Sequence, residues 1–144
     1  MDFQANQFDV IAERLKELEG ERVGTINGAP IEDDWTVFRL YFDAKSAVVR
    51  GQQDVIERTI RSIRTRTDCK IIINGHTDRH GLRNANMNLG AERALSVGAE
   101  LMLRGIPGHC MEFQSFGSSV PRLTHSPNSD EADRMNRRVE VILG

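Results

Sequence analysis

Ile71-Ile72-Ile73-Asn74-Gly75-His76-Thr77-Asp78-Arg79-His80-Gly81 is the stretch on which the fold turns. Three β-branched residues in a row, closed by Asn-Gly, read as a short strand covered on both faces, because a strand with one wet face alternates polar and apolar side chains. Downstream, from about Asn84 to Arg104, Ala94, Val97, Gly98, Leu101 and Met102 recur at helical spacing, and Gly105 and Pro107 stop the pattern. Upstream, Val55, Ile56, Thr59, Ile60 and Ile63 mark one face of a helix over about 51–66. Arg58, Arg61, Arg64 and Arg66 occupy its other faces and read as a solvated surface. The doubly covered strand is therefore flanked in sequence by the two helices able to cover it.

Further out, Trp35-Thr36-Val37-Phe38-Arg39-Leu40-Tyr41-Phe42 is rich in β-branched and aromatic residues and predicts a strand ending at Asp43. Met111 to Phe116 alternates as a strand, residues 121–135 are loop-rich in Ser, Pro, Asn and Asp, and Val139 to Leu143 alternates again. The order β-α-β-α-β-β predicts an α/β (α+β) fold, a mixed sheet covered by helices, since parallel neighbours need crossover connections. Ahead of it, Phe8, Ile11, Leu15 and Leu18 predict an amphipathic helix over about 5–19, and Asn27-Gly28 within Val23–Ile31 predicts a hairpin.

The 144 residues fit one ordinary domain plus this extension. Residues 1–34 hold nine acidic and three basic side chains, whereas residues 35–144 hold twelve and sixteen. This asymmetry places a boundary near Asp34, giving an acidic extension (1–34) and a basic body (35–144). The net charge of −2 is too balanced for indiscriminate nucleic-acid binding. No 18-residue apolar run and no signal-peptide pattern occurs. The chain accordingly reads as a piece of a longer exported or membrane-anchored protein, with any membrane anchor upstream.

Chemistry is most legible at the end of the central strand, where crevices of α/β sheets bind ligands. On the following helix Asn86, Gly90 and Arg93 share a face, and Gly90 leaves room for a close approach to the backbone. Asp78 and Arg93 can then face each other across a shallow cleft. Such a pair suits a zwitterion, with the carboxylate accepting from an ammonium and the guanidinium gripping a carboxylate. The alternative from the residues alone is that Asp78 caps a turn and Arg93 forms a plain salt bridge. No cofactor is called for.

Several blocks carry a resemblance: Tyr41-Phe42-Asp43; Asn74-Gly75-His76-Thr77-Asp78 with Gly81; Asn86-x-x-Leu89-Gly90-x-x-Arg93-Ala94-x-x-Val97; Gly105-Ile106; Phe116-Gly117 with Pro121; and Asn136-Arg137-Arg138-Val139-Glu140. In this order and spacing the chain resembles the OmpA-like C-terminal domain family over about residues 36–144. The resemblance implies non-catalytic binding of peptidoglycan through the diaminopimelate of its stem peptide, in the periplasm, tethering a larger envelope protein or complex to the cell wall. It implies that Asp78 receives the diaminopimelate ammonium and Arg93 clamps its carboxylate. Asp43, Thr77, Asn86 and Leu89 would line the rest of the cleft, and Arg138 or its neighbour Arg137 would close it. Gly90 stands where many family members have Ser, and Arg79 and His80 beside Asp78 would compete for its charge.

Two rival classes remain open. A metal-dependent hydrolase would use His76, Asp78 and His80 as ligands at i, i+2 and i+4, with His109 and His125 elsewhere, although Gly75 and Gly81 argue against strand geometry there. A protein-interaction module would keep the fold without wall binding; the acidic extension's apolar stripe would then make it a homodimer or a docking helix, although packing on its own domain is the readier use of such a stripe. Cys69 and Cys110 are too few and too far apart for a zinc framework. Both immediately precede predicted strands, and if those strands run parallel as neighbours the sulfurs come within bridging reach.

Overall fold

The computed structural model describes the backbone of residues 21–26 and 29–34, and residues 35–122 and 129–144 in full. The helix expected over 5–19 and the Asn27-Gly28 turn lie outside the described residues. Five strands form one sheet: β1 (Glu21–Ile26), β2 (Ala29–Tyr41), β3 (Ile71–His76), β4 (Met111–Gly117) and β5 (Arg138–Leu143). Helices α1 (Gln53–Arg64), α2 (Arg83–Leu103) and α3 (Ser129–Asn136) connect them, with a short 3-10 turn at Gly108–Cys110. The sheet order is β1-β2-β5-β3-β4. β3 and β4 are parallel, and β5 runs antiparallel to both β2 and β3. The mixed sheet expected from the alternation of elements is the one observed.

Two differences stand out. The 121–135 stretch expected as loop contains α3, whose eight residues are too polar to show a hydrophobic stripe; its buried residues are Asp133 and Asn136. A helix that buries polar residues leaves no apolar periodicity to read. The division expected at Asp34 falls inside β2, which runs unbroken from Ala29, so the hairpin strand β1 joins the same sheet as the body.

One sheet face packs against the helices. Phe38, Leu40 and Phe42 from the β2 side, Ile71 and Ile73 from β3, and Val139, Val141 and Leu143 from β5 meet Ile56, Ile60 and Ile63 of α1 and Ala94, Val97 and Leu101 of α2. Apart from Ala94, each such side chain contributes roughly 1.5–3 kcal/mol by leaving water. α2 lies unusually close to the sheet at its crossing with β3: a Cβ on Gly75 would strike the Gly90 carbonyl, and one on Gly90 would strike Ser115 Oγ. The room at Gly90 is thus filled by strand backbone and Ser115 rather than left for a ligand.

The opposite face is polar yet buried. Arg39 Nε donates to Glu140 Oε2 at 2.8 Å, and Arg138 Nε donates to the same oxygen at 3.2 Å. His76 stacks on Phe116 with ring centroids 5.4 Å apart, its Nε2 3.4 Å from Glu140 Oε1. Burial, reinforced by the nearby Arg138 charge, holds the His76 imidazole down to about 4, so it is neutral near pH 7. At the start of β3 and β4, Cys69 and Cys110 form a disulfide with a Cα–Cα distance of 5.0 Å, as their positions before parallel neighbours allow.

Candidate functional site

Because β2 and β3 both run against β5, their C-terminal ends meet the N-terminal end of β5 at one edge of the sheet, where Tyr41 pairs with Arg138 and Gly75 with Val139. Three segments emerge there: the turn after β2, residues 77–82 after β3, and the link from α3 into β5. The first two, with the first half of α2, enclose a cleft of about 300 Å³. Ala44 and Lys45 line it from the β2 turn, Thr77, Asp78 and His80 from the β3 loop, and Asn86, Leu89 and Arg93 from α2.

Arg93 is fully buried, and its guanidinium gathers three backbone carbonyls. Nε donates to Ser46 O at 2.7 Å, Nη1 to His76 O at 2.9 Å and Nη2 to Asp43 O at 3.0 Å. The ring of Phe42 lies beneath it, 5.3 Å from Cζ to centroid. The arginine thereby welds the β2 turn to the end of β3. Among the described residues no carboxylate lies within ion-pairing distance of it. Burial lowers its pKa to about 10, opposed by the Asp78 charge, and Arg137 adds to the lowering. Arg93 therefore stays cationic at neutral pH and faces the cavity with its charge uncancelled.

Asp78 is held from two sides. Its Oδ1 accepts from the His80 backbone N–H at 3.0 Å, and its Oδ2 lies 3.4 Å from Arg137 Nη1. Arg137 is fixed in turn by donating from Nε to Phe42 O at 2.9 Å. The Thr77 hydroxyl donates to Asp78 O at 2.9 Å. A carboxylate and a buried guanidinium thus line one hollow without touching, an arrangement able to receive an ammonium and a carboxylate from the same molecule.

Of the residues singled out from sequence, Asp78, Arg93, Thr77, Asn86 and Leu89 share this cleft. Asp43 contributes its carbonyl to Arg93, and its side chain is exposed rather than lining the cavity. Of the two arginines offered for closure, Arg137 stands beside Asp78. Arg138 does not: it is fully buried on the polar face, where it binds Glu140 and Val120 O, because successive residues of a strand point to opposite faces. Arg79 and His80 do not compete for Asp78 with their side chains. His80 Nε2 lies 2.9 Å from Asp133 Oδ2 and Arg79 Nε 3.3 Å from Asp133 Oδ1, so both side chains are drawn to α3.

Sequence reasoning passed over Ala44 and Lys45. The available signal was the strand end itself, since the residues that turn after β2 must emerge at the same sheet edge as Asp78. The metal triad of His76, Asp78 and His80 is not assembled: His76 is sealed against Phe116 and Glu140, while His80 is on the outer rim. Cys69, His109 and Cys110 have ligand atoms within 4.8 Å of one another, but both sulfurs are spent in the disulfide. No helix of the described residues is long and apolar enough to cross a membrane.

Fold and cleft together define an α+β domain with a cavity at the strand ends lined by a carboxylate and a guanidinium. Residues 41–137 match the OmpA family, and the chain belongs to it. It is 32% identical over 117 residues to a peptidoglycan-associated lipoprotein of Rhizobium meliloti, covering 78% of this chain and 65% of that protein. It is 28% identical over 121 residues to the peptidoglycan-binding protein ArfA of Mycobacterium bovis, covering 84% of this chain and 34% of that protein. The chain therefore spans less than two thirds of the length of either relative. Among solved structures, the peptidoglycan-associated lipoprotein of Burkholderia pseudomallei superposes with a TM-score of 0.61 at 31% identity, covering 72% of this chain and 87% of that one. The periplasmic domain of Helicobacter pylori MotB gives 0.63 at 25% identity, covering 75% and 81%.

Proposed function

We propose that this chain binds peptidoglycan non-covalently, through the zwitterionic end of the diaminopimelate side chain of the stem peptide, and so tethers a larger envelope protein or complex to the wall. The observation that carries the reading is that Asp78 and Arg93 line one cavity with the Arg93 charge unmatched by any described carboxylate. An incoming carboxylate supplies that match, and the ammonium on the same carbon reaches Asp78. In the low-dielectric cleft each charged hydrogen bond contributes roughly 1.5–3 kcal/mol.

Binding without turnover fits the local chemistry, since the Thr77 hydroxyl donates to a carbonyl rather than to a general base. The names of the relatives support wall binding, and the disulfide fits an oxidising, periplasmic compartment. The test is co-sedimentation with purified sacculi at low and physiological salt. Wild type is expected in the pellet, and Asp78→Asn in the supernatant with its fold intact by circular dichroism. Arg93→Lys, which keeps the charge but loses the three-way carbonyl grip, is expected to bind at least tenfold more weakly. Wild type remaining in the supernatant under both conditions overturns the reading in favour of a protein-interaction module.

A further inference from the structure

We infer that Lys45 is a second cationic contact of this cleft, taking a carboxylate of the stem peptide other than the one opposite Arg93; the inference rests on the peptidoglycan-binding reading above. The supply of donors in the cleft is limited. A guanidinium has five N–H groups. Arg93 gives three to Ser46, His76 and Asp43, leaving two, enough for one carboxylate. Arg137 is occupied by Phe42 O and Asp78, and the His80 ring by Asp133. Among the described residues, Lys45 is the cleft-lining cation with neither a hydrogen bond nor an ion pair.

Its backbone sharpens the point. Lys45 has φ 58°, and no other described non-glycine residue has positive φ. That conformation is disfavoured for a residue with a Cβ, and glycine or asparagine would occupy it more readily. What lysine adds there is a long, mobile ammonium at the mouth of the cavity. The turn is also fixed from both sides by the binding arginine, because Arg93 holds Asp43 O and Ser46 O, and Ser46 N–H donates to Asp43 O at 3.2 Å. Arg93 thus positions the residue that complements it.

Two carboxylates of a stem peptide have the required chemistry: the α-carboxylate of the glutamyl residue before diaminopimelate, and the free carboxylate at the peptide's C-terminus. Calorimetry with a purified disaccharide tetrapeptide, its glutamyl carboxamide and its C-terminal amide separates them. Lys45→Gln, which keeps the stem and removes the charge, is expected to weaken binding of the parent peptide about five- to tenfold, less than a buried pair because Lys45 is exposed. Lys45→Arg should restore most of the affinity. Wild type should lose the same factor on one amidated ligand, and Lys45→Gln should lose nothing further on that ligand; which amide behaves so names the carboxylate. If Lys45→Gln matches wild type on the parent peptide while Asp78→Asn fails to bind, or if its loss simply adds to both amide losses, the inference is wrong and the wall-binding reading stands. No binding of any of these peptides by wild type overturns both.

Discussion

Arg93 and Arg138 are both buried, yet the cleft and the polar face of the sheet use them in opposite ways. Arg138 shares Glu140 with Arg39 and donates its remaining reach to a carbonyl, so its charge is met inside the protein. Arg93 donates only to carbonyls, which orient a guanidinium without neutralising it. One region is a closed ionic lock beneath the strands; the other, on the proposed reading, is half of a binding site. The difference teaches that burial of a charge does not by itself mark function. What matters is whether the protein supplies the counter-charge.

Exchanging Glu140 for Gln should break this contrast most forcefully. It removes the buried carboxylate that Arg39 and Arg138 share and is expected to cost about 3–5 kcal/mol in urea unfolding, while the folded fraction still pellets with sacculi. Asp78→Asn is its mirror image: wall binding is lost with stability within about 1 kcal/mol of wild type. If Glu140→Gln is harmless, the lock is not what holds the polar face.

Reducing the Cys69–Cys110 bridge tests a region remote from both. It spans a sequence separation of 41 and sits at the opposite end of β3 and β4 from the cleft. Its loss should lower stability by about 2–4 kcal/mol through the freer unfolded chain, with sacculus binding of the folded protein unchanged. A binding defect at full occupancy of the fold would show the two ends to be coupled.

The smallest effect belongs to His76. Its folded pKa of about 4 lies below the unfolded value, so between the two the unfolded chain takes up the proton and the folded one does not. Stability is therefore retained above pH 6.5 and falls as the pH drops toward 4. By pH 4.5 the loss should be about 2–3 kcal/mol relative to neutrality. Unfolding curves of wild type and His76→Gln should converge over this window, and parallel curves would place the acid sensitivity elsewhere.

How far the sequence could be read follows from the same physics. The core strands and α1 and α2 announce themselves because Ile71–Ile73, the Ile56–Ile63 stripe and the Ala94–Leu101 stripe bury apolar surface at a regular period. α3 does not, since what it buries is Asp133 and Asn136. Asp78 and Arg93 are visible as a complementary pair set by strand end and helix face. The choice between Arg137 and Arg138 is not, because which of two adjacent residues faces the cleft depends on where β5 begins. Lys45 is hidden for a related reason: its meaning comes from a turn whose shape is imposed by an arginine 48 positions later.

The central position of β5 has a kinetic corollary. It is the last strand of the domain in chain order, yet it lies between β2 and β3 and carries Glu140 on one side and Val139 and Val141 on the other. Until it arrives, the β1-β2 ribbon and the β3-β4 pair have no common partner, and both the core and the ionic lock lack their middle. Such non-local assembly is slow. A polypeptide of this design closes its sheet only once its final strand is available, so a truncation that removes β5 takes away the one element joining the two halves of the sheet.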